Sequence, residues 1–162
     1  MAKRSAGSVA IRVLAFALMS CATCTIFLPP CVVADDRHVD VDNQDRSPVD
    51  LAIAPDGDWL VTANQTSGTL SLVRLADGAV MAETPCGQRP SAVAVSPDGK
   101  RVLASATYSG ELHAYRLSNA SLEHMGALKL GFEPRGIALS PDGRLAYVAL
   151  TAANEVAVVE LE

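Results

Sequence analysis

Arg89 and Arg135 are the residues best suited to hold a ligand, and Asp50 is their acidic counterpart. Arg89 directly precedes Pro90, Arg135 directly follows Pro134, and Asp50 lies two residues beyond Pro48. A guanidinium presents a rigid fork of N–H donors that fits a carboxylate or phosphate through parallel hydrogen bonds. Arginines around a cavity mouth would hold an anion; arginines on solvated loops would hold nothing. His113 and His124 are of the metal- or haem-ligand type, but each reads more simply as a solvent-facing side chain. Cys86 has no identifiable base near it and reads as a free, buried or half-buried thiol. The acidic run Asp35, Asp36, Asp40, Asp42 and Asp45 lacks the glycine and the terminal glutamate of a calcium loop and reads as a solvated linker. There is no Ser-His-Asp arrangement, phosphate loop or zinc spacing, so no catalytic residue, metal site or cofactor is assigned.

These residues sit in a repeat. Pro55-Asp56-Gly57, Pro97-Asp98-Gly99 and Pro141-Asp142-Gly143 recur at spacings of 42 and 44 residues, and Pro48, Pro90 and Pro134 recur with them. A period of about 40–45 residues is the length of one four-stranded propeller blade. Ahead of each triplet, apolar residues alternate with small ones: Leu51 and Ile53, Val93 and Val95, Ile137 and Leu139. Alternation with period two is a strand signal, and small residues between suit an innermost strand. The triplet then makes a tight turn, with Pro presetting φ, Asp tolerating the next position and Gly accepting positive φ.

Second strands are expected over 59–64, 101–106 and 145–150. Third strands are expected over 70–75, 112–117 and 156–161, and fourth strands over 79–84 and 122–130. Trp59, opening a second strand, is expected to pack between blades. The third copy stops before a fourth strand. The domain reading is an acidic linker or ring-closing strand at 35–46, blade 1 at 47–88, blade 2 at 89–132 and an incomplete blade 3 at 133–162. The fold class is all-β, with no helix expected after the N-terminal segment.

Residues 1–34 read as a signal peptide. Lys3, Arg4 and Arg12 precede an apolar run, and Val32-Val33-Ala34 resembles a cleavage site. A retained anchor and lipidation at Cys21 are the alternatives. Pro29 and Pro30 interrupt the run before it reaches a span of about 20 residues, and Met19 suits lipidation poorly. Cleavage leaves Cys86 as the one cysteine of the mature chain, so no internal disulfide forms. The net charge of −5 gives nucleic-acid binding no support.

The x-Pro-x-x-(Val/Ile/Leu)-Ala-(Val/Ile/Leu)-(Ser/Ala)-Pro-Asp-Gly phrase resembles the YVTN-type β-propeller repeats, of the same broad architecture as lactonase-like and haem d1 propellers. Val61-Thr62-Ala63-Asn64 matches the family's usual strand ending; Ala106 and Leu150 depart from it. The resemblance implies loops at a channel mouth, where Arg89, Arg135 and Asp50 would lie. It leaves three functions open: a binding scaffold, the propeller part of a periplasmic c-type cytochrome or other electron-transfer protein, and a lactonase-like hydrolase. The expected partners are a protein or small molecule on the loop face, and further blades from a longer chain or from oligomer partners. The expected location is periplasmic or extracellular, with membrane contact only during export.

Overall fold

A computed structural model describes residues 45–131 and 133–161. The chain divides into two units, Met1–Val39 and Asp40–Glu162; the expected signal peptide and most of the acidic segment lie outside the described residues. Eleven strands follow in order: β1 (Pro48–Ile53), β2 (Trp59–Asn64), β3 (Thr69–Arg74), β4 (Ala79–Pro85), β5 (Pro90–Val95), β6 (Arg101–Ala106), β7 (Glu111–Ser118), β8 (Ser121–Lys129), β9 (Pro134–Leu139), β10 (Leu145–Leu150) and β11 (Glu155–Glu160). They form three antiparallel sheets, β1-β2-β3-β4, β5-β6-β7-β8 and β9-β10-β11, each a meander of sequence neighbours. No helix occurs among the described residues.

The Pro-Asp-Gly turns close as the repeat predicts. The amides of Gly57, Gly99 and Gly143 donate to the carbonyls of Ala54, Ser96 and Ser140 at 2.9, 2.8 and 2.9 Å. Each aspartate then accepts the amide two residues on, at 3.0 Å for Asp56, 3.1 Å for Asp98 and 3.1 Å for Asp142. Gly99 has φ +72°, and a Cβ placed on it would stand 3.6 Å from the ring of Pro55, so the turns of successive blades touch.

Between the first two sheets lies a core of Val61, Ala63, Leu70 and Leu72 from one side and Val93, Val102, Ala104, Tyr115 and Leu117 from the other, with Trp59 packed against it. Leu103 and Leu112 meet Ala146, Val148 and Leu150 between the second and third. Alternation along each strand sends neighbours to opposite faces, so β6 and β7 of the second sheet serve both cores. The outward faces of the first and third sheets are apolar and uncovered among the described residues: Leu51 and Ile53 are 60% and 57% exposed, Val156 and Val158 are 62% and 59%. Leu70 and Leu72, which match Val156 and Val158 in the repeat, are fully buried.

Candidate functional site at the loop end

Antiparallel pairing puts the segments entering β1, β5 and β9 at the same end as the β2–β3, β6–β7 and β10–β11 turns. Ser47, Arg89 and Glu133 each precede the proline of their blade, and each has positive φ (50°, 55° and 54°). Non-glycine residues resist this conformation at a cost of roughly 1–3 kcal/mol. Their carbonyls are held by amides of the turn above, from Gln65 at 2.9 Å, Thr107 at 3.0 Å and Thr151 at 3.2 Å. A shift in register follows in all three innermost strands. Recurrence in every blade makes this a device of the repeat, which turns the side chains of 47, 89 and 133 toward the loop end.

Of the two arginines read from the sequence as candidates, Arg89 is the one with no ion-pair partner among the described residues. Its guanidinium lies 4.7 Å over the ring centre of Tyr108, and its Nη2 donates to Gln65 Oε1 at 3.2 Å. No carboxylate pairs with it among the described residues. Tyr108 is 65% exposed, which leaves the outer edge of the pair facing solvent. Arg135 is partly neutralised, with Nη2 3.8 Å from Glu133 Oε2. Asp50 is engaged in the fold: its Oδ2 accepts the Val93 amide at 2.9 Å, tying the innermost strands of two blades together. No hydrogen bond or ion pair joins Arg89, Arg135 and Asp50 to one another among the described residues.

Nothing in residue type or spacing alone marks Tyr108 and Gln65 as partners of Arg89. The available signal was a departure from the repeat: Tyr108 occupies a turn position held by Thr66 and Ala152 in the other copies.

His113 corrects an expectation. It is buried, not solvent-facing, at 8% exposure. Its Nδ1 lies 3.1 Å from His124 Nε2, while Nε2 is 3.4 Å from Glu111 Oε2 without making a hydrogen bond. Gly87 passes so close that a Cβ there would stand 2.7 Å from His113 Nε2. Burial and His124 lower the His113 pKa below its ordinary 6.5. Cys86 is a free, buried cysteine, and burial pushes its thiol up to about 11. It is therefore protonated near neutral pH and a poor nucleophile. Tyr115 is shifted upward by the same burial, and its hydroxyl donates to the Pro85 carbonyl at 2.7 Å. These groups lie in the packing between the first two blades. Among the described residues, no group of three or more His, Cys, Asp or Glu is placed to hold a metal ion.

Three meander sheets stacked in sequence order, each entered by the same turn and built on the same phrase, define a β-propeller repeat protein. The sequence profile of the family described as "Lactonase, 7-bladed beta-propeller" matches residues 75–162, and the chain belongs to that family. No curated protein matches the chain significantly. Among solved structures, hydrazine synthase of Kuenenia stuttgartiensis is similar at 26% identity and a TM-score of 0.68, over 76% of this chain and 35% of that one. A putative 6-phosphogluconolactonase of Bacteroides fragilis is similar at 24% identity and 0.68, over 73% and 36%. Another, from Bacteroides uniformis, is similar at 21% identity and 0.68, over 73% and 37%. The chain thus matches little more than a third of the length of these structures.

Proposed function

We propose that this chain is an exported propeller-repeat protein whose loop end is a binding scaffold for an anionic or polar group on a protein or small molecule. The observation that carries the reading is the solvent-facing Arg89–Tyr108 pair, with a guanidinium 4.7 Å over an exposed ring and no carboxylate partner among the described residues. An arginine stacked on an aromatic ring keeps its N–H edge free for an acceptor. The groups with nucleophilic or acid–base character, Cys86, Tyr115 and His113, are buried in packing, which favours binding over catalysis. Further blades of the same kind, from a longer chain or from a second copy, cover the two apolar end faces. Export to the periplasm or outside the cell follows from the N-terminal sequence, and the membrane is a partner only in transit. Nucleic acid is not a partner.

The experiment is calorimetric titration of the full chain with gluconate, a hydroxylated carboxylate, alongside pH-stat measurement of glucono-δ-lactone hydrolysis. Saturable gluconate binding that falls at least about tenfold in Arg89→Ala and Tyr108→Ala, with no hydrolysis above the spontaneous rate, supports a scaffold. Hydrolysis above background that disappears in Arg89→Ala overturns it in favour of a lactone hydrolase. Equal gluconate affinity in parent and both variants removes the loop-end site.

A further inference from the structure

The β5–β6 and β7–β8 turns lie at the end of the second blade opposite Arg89. There Lys100, Arg101, Arg116, Asp98, Leu117 and Met125 take part in lining a cavity of about 470 Å³. Arg101 and Arg116 are direct cross-strand partners, and like charges placed opposite one another in a sheet repel. The repeat does not require this pairing. The same two positions hold Trp59 and Arg74 in the first blade, and Leu145 and Glu160 in the third.

The counter-charge has changed as well. Arg74 is closed off by Asp77, which accepts from Nε at 3.0 Å and from Nη2 at 2.7 Å. The matching residue three positions after Arg116 is the neutral Asn119. Arg116 keeps one exposed contact, Nη1 to Glu123 Oε2 at 3.3 Å. Asp98 is committed to its own turn, accepting from Ser96 Oγ at 2.5 Å and the Lys100 amide at 3.1 Å. Among the described residues no ion pair links the side chains of Lys100 or Arg101 to a carboxylate. The second blade has therefore gained an arginine, and the two-pronged Asp77 contact of the first blade is replaced by a single contact to the exposed cross-strand Glu123, at the wall of a cavity.

We propose that this cavity binds a small phosphate monoester, its phosphoryl group between Arg101, Arg116 and Lys100 and its organic part against Leu117 and Met125. Two forked guanidiniums and an ammonium offer more donors than the two oxygens of a carboxylate take up, and they match the three terminal oxygens of a phosphoryl dianion. The cavity falls in the size range of small-molecule sites, about 300–1,000 Å³, and has room for more than the ion.

The test is amide chemical-shift titration of the full chain, at constant ionic strength set with sodium chloride, using inorganic phosphate, glycerol 3-phosphate and succinate. The expected result is saturable shifts at residues 100, 101 and 116–118, tightest for glycerol 3-phosphate. Arg101→Leu and Asn119→Asp, the second restoring the first blade's carboxylate, each weaken binding at least about tenfold. Arg74→Leu leaves binding unchanged. Melting temperatures establish that each variant is folded; should Asn119→Asp not fold, Arg101→Leu decides alone. The proposal is overturned by parental affinity in the folded variants, by no saturation at millimolar ligand, or by equal shifts from chloride alone. Succinate binding as tightly as glycerol 3-phosphate also overturns it.

Discussion

Burial of His113 behind Gly87 favours the neutral ring, and His124 beside it adds to that preference. Glu111, on the same strand, pulls the pKa upward and is outweighed. The unfolded chain titrates this group near 6.5, so below that pH the unfolded state takes up a proton that the folded state refuses, and stability falls. Above pH 6.5 both states are neutral and the group contributes no slope. Urea midpoints of the parent are therefore expected to drop more steeply from pH 7 to pH 5 than those of His113→Leu; identical slopes would contradict the burial. Cys86, its pKa raised to about 11, is expected to alkylate at pH 7.5 far more slowly in the folded chain than in denaturant, read by mass at its own peptide. Comparable rates would mean the thiol is open. The burial of His113 was not legible in the sequence, because alternation assigns it a face without saying that a side-chain-free Gly87 lets the first blade close over it.

Strands β2, β6 and β10 begin and end where the sequence places them, since a Pro-Asp-Gly turn bounds each on one side and a polar turn on the other. The third strands run one residue off at their ends. Their terminal pairs, Thr69 with Pro85 and Glu111 with Lys129, carry no apolar signal. The turns allow a direct test. Gly99→Val puts a β-branched residue at φ +72°, which costs about 2 kcal/mol and lowers the melting temperature by about 5–10 °C for a unit of this size. Unchanged melting would refute the turn. Ser96 bonds Asp98 and also accepts the Arg101 amide at 2.9 Å; Ser96→Ala is expected to cost about 1 kcal/mol in urea denaturation.

Repetition links the faces of the whole molecule. Leu72 and Val158 occupy the same place in their blades, yet the first is fully buried and the second 59% exposed. Leu72→Ala is expected to cost about 3 kcal/mol, while Val158→Ala costs under about 0.5 kcal/mol in the dilute chain by itself; a cost at Val158 that grows with protein concentration would show a second copy covering this face. The propeller class was legible because a repeated phrase reports on fold many times over. The loop-end site was legible only in part. Arg89 could be placed near a mouth, but its partners Tyr108 and Gln65 belong to different turns and meet only when two blades pack.

The loop end around Arg89 and Tyr108 is proposed to take up an anionic or polar group. An amide chemical-shift map of the full chain with gluconate tests it most directly. Perturbations are expected at residues 65–66, 88–89 and 107–109 and nowhere else. Shifts at the Pro-Asp-Gly end or along the exposed end faces, with none in those three segments, would contradict it.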